Sequence, residues 1–195
     1  DLVSSRGLGD VYKRQKIANV ESTKYKKSDL SLKKKHTEYY RSLKIKNLKN
    51  KYLENSSNYI FIVGMPRSGS TLLENILSLN PEVTDMGEVN FLEESIKETK
   101  DFEDVYDLYQ KKVINQFQSS IIYTDKNLFN YIYCPIISYF FPNAKIINCI
   151  RNPLDNILSI YRANFLKQSF SFSLTDISSL YVHYFETMEE YKIKY

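Results

Sequence analysis

Eight residues in the first half of the chain have the types and spacing to hold an anion. Gly64-Met65-Pro66-Arg67-Ser68-Gly69-Ser70-Thr71 matches the phosphate-loop pattern G-x-x-x-x-G-K-[ST] at every fixed position except the lysine, which is Ser70. Gly64 and Gly69 let the backbone turn tightly and present its N–H groups. The helix predicted to open beyond them adds partial positive charge, and the Thr71 hydroxyl can donate to a phosphate oxygen. In nucleotide triphosphatases the missing lysine reaches the β- and γ-phosphates, so this loop should prefer a ligand with less charge there, with Arg67 supplying a cation elsewhere. A second anion site is readable at Arg151-Asn152-Pro153. Arg151 directly follows an apolar run, Asn152 suits an N-cap, Pro153 suits the first helical position, and Asp155 falls where a capping box wants an acid. Ser159 lies seven residues after Asn152, about two helical turns on, so both share one side of the helix. Arg151 and Ser159 can thus converge on a phosphate, which a guanidinium grips with two bonds at once.

The elements that must position these groups alternate strand and helix. Tyr59 to Val63 (YIFIV), Ser120 to Thr124 (SIIYT) and Lys145 to Ile150 (KIINCI) are short apolar runs, read as buried parallel strands. Thr71 to Leu79 carries Leu72, Leu73, Ile76 and Leu77, the stripe expected of a helix packed on a sheet, and Asn80-Pro81 stops it. Helices are predicted over Glu88 to Lys97, Phe102 to Phe117, Leu128 to Phe141, from Asn152-Pro153 onward, and over Leu174 to Tyr195. The fold class is α/β, a P-loop-like three-layer fold with a central parallel sheet flanked by helices.

Composition narrows the classes. With 43% hydrophobic and 14% aromatic residues in 195, the chain has the material for a real core and is not a disordered polymer. Cys134 and Cys149 are too few for a disulfide scaffold or a cysteine zinc site, and both lie in apolar contexts that read as core. His36 and His183 leave little room for histidine metal chemistry, so no metal is expected. No apolar run reaches the roughly 18 residues of a bilayer span. The net charge of +4 is mild, and much of the lysine sits between Lys24 and Lys51, read as a solvated helix surface rather than a nucleic-acid arm. A basic balance also suits an anionic nucleotide.

Residues 1–15 (DLVSSRGLGDVYKRQ) differ in composition from the Lys/Asn/Ile/Tyr-rich remainder and resemble a translated library adapter, so they are read as a non-native scar or a disordered tail. Residues 16–58 are expected to be a basic helical extension, with Leu30, Tyr39, Tyr40, Leu43 and Leu48 as its stripe and Asn55 to Asn58 as the boundary. Residues 59–195 form the expected α/β domain. The chain starts at Asp1 rather than Met and its last helix-like segment has no C-cap signal, so a C-terminally truncated domain is expected.

IFIVGMPRSGSTLLE resembles the 5′-phosphosulfate loop of the sulfotransferase family, in the branch of the tyrosylprotein sulfotransferases and the bacterial sulfotransferases that carry tetratricopeptide repeats. RNPLDNILSIY resembles that family's 3′-phosphate segment, with Arg151 and Ser159 at its contact positions. The resemblance runs from Tyr59 to the end of the chain. It implies 3′-phosphoadenosine 5′-phosphosulfate (PAPS) as co-substrate, with Arg67, Ser68, Gly69, Ser70, Thr71, Arg151 and Ser159 as the nucleotide-binding residues. It implies a hydroxyl acceptor, whether peptide tyrosine, sugar or small molecule, and no nucleic-acid partner.

Sulfuryl transfer needs a base for the acceptor proton and cations for the charge on the leaving phosphate. Glu88, in Met86-Gly87-Glu88, resembles the catalytic Glu of the tyrosylprotein branch. Lys126, in Thr124-Asp125-Lys126-Asn127, resembles the family's Lys in a K-[DN]-P-F segment, although Leu128 stands where Pro is usual. Arg67 completes the catalytic set. The other readings are a P-loop kinase or NTPase, against which stand Ser70 and the lack of a clear Mg²⁺-binding acid at a strand end, and a non-catalytic adenine-nucleotide-binding fragment. A cytoplasmic location is expected.

Overall fold

A computed structural model describes residues 28–43, 58–100, 102–163, 165 and 168–195. The expectations for residues 1–15 and for Leu48 and Asn55 to Ser57 lie outside the described residues. In chain order the elements are α1 (Ser28–Ser42), β1 (Asn58–Gly64), α2 (Ser70–Leu77), β2 (Val83–Asp85), α3 (Phe91–Glu98), α4 (Val105–Gln116) and β3 (Ile122–Asp125). A 3₁₀ segment (Leu128–Tyr133) follows, then α5 (Cys134–Phe140), β4 (Lys145–Cys149), α6 (Pro153–Ala163), a second 3₁₀ turn (Ser169–Phe172) and α7 (Leu174–Lys194). The strands form a parallel sheet in the order β2-β3-β1-β4, so the expected α/β class holds. The crossovers β1 to β2 and β3 to β4 run in opposite directions along the sheet. Right-handed connections therefore put α2 on one face and the 3₁₀–α5 segment on the other.

Strand β1 is central because every residue from Phe61 to Val63 is apolar and fully buried. Alternation sends Tyr59, Phe61 and Val63 to one face, where Tyr59 meets Tyr109 with centroids 5.1 Å apart and Phe61 meets Phe141 at 5.4 Å. Tyr109 and Phe141 cross edge-to-face at 5.2 Å. Much of the aromatic content is thus core. Helix α1 lies on this domain: Tyr40 packs on Tyr133 at 4.9 Å, Lys33 Nζ sits 3.7 Å above the Phe129 ring, and Lys34 Nζ donates to Ser179 Oγ at 2.8 Å.

Several local expectations are corrected. Lys145 to Ile150 is not a fully buried strand: β4 stops at Cys149, occupies a sheet edge, and its residues are exposed or only partly buried. Continuous apolarity marked it as strand but could not show how many neighbours it has. The α2 stripe is also wrong in part. Leu72 and Ile76 are 66% and 55% exposed, while Ser70 and Glu74 are buried. Glu88 precedes α3 instead of opening it, because β2, unrecognised in the sequence, carries the chain alongside β3 first. Leu128 to Phe141 breaks at Tyr133 into 3₁₀ and α halves, since Pro135 lacks an N–H and suits only a helix start. Among the described residues no helix is long and apolar enough to cross a membrane.

Candidate active site

The loop from Gly64 to Ser70 is shaped by backbone that most residues avoid. Gly64 has φ +151°, and a Cβ there would lie 2.7 Å from the Cys149 carbonyl oxygen on β4, so only glycine fits. Arg67 is left-handed at φ 67° although it has a side chain. Gly69, at φ 99°, precedes α2 and offers no side-chain cap, which leaves first-turn N–H groups open to a ligand. The strained Arg67 conformation is held by its neighbours. Asn156, fully buried in α6, donates from Nδ2 to the Pro66 carbonyl at 2.9 Å. Arg151 Nη1 donates to the Arg67 carbonyl at 3.2 Å, and Arg67 Nε donates to Ser159 Oγ at 3.2 Å. The Ser68 hydroxyl is buried with no hydrogen-bond partner among the described residues.

These bonds join the loop to the second segment expected to hold an anion. Asn152 caps α6 as expected, its Oδ1 accepting from the N–H groups of Leu154 at 3.0 Å and Asp155 at 3.3 Å. The Arg151 carbonyl accepts from the Tyr181 hydroxyl at 3.1 Å, which fixes the residue between β4 and α7. A groove of about 380 Å³ runs along Arg67, Arg151, Asp155, Ser159 and Arg162. Arg162 went unrecognised in the sequence. It lies three residues after Ser159 on the same helix face, a spacing that could have revealed it.

The third group forms where β2 and β3 run out. Met86 N–H donates to the Thr124 carbonyl at 3.0 Å and Lys126 N–H to the Gly87 carbonyl at 2.9 Å, so pairing continues past the strands and sets Glu88 beside Lys126. Lys126 Nζ is 3.0 Å from Glu88 Oε1 and 3.7 Å from Glu74 Oε2. Lys126 is 6% exposed, whereas the Glu88 side chain is 71% exposed. Where Leu128 replaces the usual proline, hydrogen bonds stiffen the loop. Asn127 accepts from Phe129 N–H at 3.3 Å and donates to the Val89 carbonyl at 3.0 Å and Asn90 Oδ1 at 2.9 Å.

A cleft of about 660 Å³, in the range of small-molecule sites, is lined by Arg67, Gly69, Ser70, Thr71, Glu88 and Arg151, among others. Ser68 and Lys126 lie behind its wall, and Ser159 sits in the adjoining groove that shares Arg67 and Arg151. The acid at the end of β3, Asp125, does not face the cleft. It is fully buried and turned into the core, accepting from Tyr109 Oη at 2.9 Å, Asn130 Nδ2 at 3.1 Å and Asn127 N–H at 3.0 Å. Burial pushes its pKa up to about 7 against the pull of those bonds. His183 lies on α7 in a different groove with Lys34 and Glu186. Burial and then the Lys34 charge lower its pKa.

A family model described as "Sulfotransferase family" matches residues 59–120 and 102–194. The chain belongs to the sulfotransferase family. The match holds all nine site residues named from the sequence, from Arg67 to Ser159. An uncharacterized protein of Aquifex aeolicus (strain VF5) is 30% identical over 133 residues, covering 56% of this chain. The aligned segment is 18% of that relative, so the chain spans less than a fifth of its length.

The residues present have the chemistry to hold an anionic nucleotide. Left-handed residues at Arg67 and Gly69 and a helix start without a side-chain cap are backbone features able to accommodate one anion. The orphaned Ser68 hydroxyl is a further polar group of that loop, and Arg151, Ser159 and Arg162 offer donors for a second anion.

Proposed function

We propose that this chain transfers a sulfuryl group from PAPS to an acceptor hydroxyl. The observation that carries the reading is the Arg67 bridge. Its carbonyl is tied to Arg151, 84 residues on, and its guanidinium to Ser159, 92 residues on, so the two proposed anion sites share one wall, next to the Glu88–Lys126 pair. A ligand with phosphates at both ends matches that wall better than a triphosphate, for which Ser70 provides no cation.

When bound, the donor supplies a sulfuryl group whose bond to the 5′-phosphate oxygen breaks as the acceptor oxygen bonds to sulfur. The chain's own residues do the rest. The Gly64–Thr71 loop, Ser68 and Ser70 included, binds the 5′ end, while Arg151 and Ser159 hold the 3′-phosphate. Glu88, exposed in the cleft, takes the proton from the acceptor hydroxyl. Lys126 and Arg67 offset the charge left on the phosphate oxygen. No metal is part of this mechanism.

The acceptor is peptide tyrosine, a sugar or a small-molecule alcohol, and the loop motif supports the tyrosylprotein and tetratricopeptide-repeat branch. The same proposal places the activity in a domain over residues 59–195, preceded by a basic helical extension, and in the cytoplasm. Calorimetry tests it: adenosine 3′,5′-bisphosphate should bind at least tenfold tighter than AMP or ATP, since one charge-assisted phosphate contact contributes about 1.5–3 kcal/mol. Equal affinity for AMP and the bisphosphate would remove the 3′ site.

A further inference from the structure

Glu74 has no role in the mechanism above, yet it sits at the junction of that mechanism's parts. It lies on α2 four residues after Ser70, on the face turned inward, and is 3% exposed. Its Oε1 accepts from the Gly87 N–H at 3.2 Å and from the Thr124 hydroxyl at 3.2 Å, and its Oε2 lies 3.7 Å from Lys126 Nζ. One carboxylate therefore ties together the helix leaving the anion loop, the turn that delivers Glu88 and the strand end that delivers Lys126. Burial raises the Glu74 pKa, against the pull of Lys126, Thr124 and Gly87. A carboxylate so placed is costly unless paired, and Lys126 pairs it. Lys126 thus stands between two acids of opposite character, Glu74 inside and Glu88 in solvent.

We propose that Glu74 is the standing counter-ion of Lys126 and a positioning residue for transfer. It keeps the ammonium beside Glu88, which lines the cleft, and anchors the Gly87 N–H. Glu88 is then free to leave Lys126 for the acceptor hydroxyl without stranding a buried charge. The catalytic consequence rests on the transferase reading, and the order of the two ion pairs does not.

Trace acetylation with acetic anhydride, read by mass spectrometry against exposed Lys97, tests that order. Glu74→Gln should raise the labelling rate of Lys126 by roughly tenfold, the change that one pK unit makes in the free-amine fraction. Glu88→Gln should raise it by less than about twofold, as expected of an exposed pair. An unchanged rate in Glu74→Gln, or a larger change in Glu88→Gln, overturns the proposal. If Glu74→Gln does not fold, stability supplies the answer. Lys126→Met should lower Tm by roughly 5–10 °C, and adding Glu74→Gln should recover at least half of that loss. No recovery overturns the pairing. In the transfer assay Glu74→Gln should lower kcat by roughly 10- to 100-fold with the acceptor KM within about threefold, and Glu74→Asp should restore part of the rate. A change confined to KM overturns the positioning role. If the unaltered protein neither binds the bisphosphate nor transfers sulfate, the transferase reading fails while the labelling result still decides the ion-pair order.

Discussion

The two charged regions of the cleft are built on opposite principles. Around Arg67, Arg151 and Ser159 the cations are exposed and donate to one backbone carbonyl and one hydroxyl. Around Lys126 the cation is buried and paired with two carboxylates. An exposed guanidinium on a neutral partner gives up little when an anion arrives, so the first region is arranged to receive charge. A buried ammonium without a carboxylate would destabilise the fold, so the second region is arranged to hold charge in place. On the proposed function, binding falls to the first region and chemistry to the second, and substitutions should separate the two.

The largest effect is expected at Glu88. Glu88→Gln should leave bisphosphate affinity nearly unchanged and reduce sulfate transfer from labelled PAPS by roughly 10²–10⁴-fold. Turnover near the unaltered rate would deny Glu88 the role of base. Next comes Lys126→Ala, which strands the Glu74 carboxylate. It should cost about 3 kcal/mol of stability by denaturant titration and also weaken nucleotide binding. A variant as stable as the parent would break the contrast between held and receiving charge.

Arg151→Ala should behave in the reverse way. The expected loss is roughly 1.5–3 kcal/mol of bisphosphate affinity by calorimetry, with Tm little changed because the bond from its guanidinium to the Arg67 carbonyl is exposed. A large fall in Tm without nucleotide would make Arg151 structural. The smallest effect, per pH unit, concerns Asp125. Its folded pKa of about 7 lies above the ordinary aspartate value of 3.8, so the folded state keeps a proton that the unfolded chain has lost. That contribution is fully present below pH 3.8 and is lost as pH rises to about 7. Between those values the parent should lose about 1.4 kcal/mol per pH unit relative to Asp125→Asn. Parallel stability curves for the two proteins would show that Asp125 titrates as it does in water.

Much of the site was legible because its signals are local. A strand, a glycine-bearing turn and a helix start can be read from consecutive residues, and so can the Asn152 cap, whose bonds span only two and three residues. Glu74 was hidden because it sits within an apolar stripe, and periodicity alone does not say which side of α2 faces the sheet. The stripe pointed Leu72 and Ile76 inward, and the fold turned Ser70 and Glu74 inward instead. Asp125 was legible as the end of a strand but not as a buried group, since its burial depends on Tyr109 and Asn130 from elements on either side of β3.

By itself the sequence determined the α/β class, the glycine-bearing turn after β1 and the capped helix after Arg151, and it named the residues proposed to bind and transfer. Those features follow from backbone torsions and side-chain chemistry within a few residues of each other. Tertiary structure alone decided that Arg67 reaches Ser159, that Glu88 lies beside Lys126, that β4 is an edge strand and that Glu74 is inside. Each depends on the order of strands in the sheet and on which helix face meets it. Parallel pairing joins segments tens of residues apart, and no spacing within either segment records its partner.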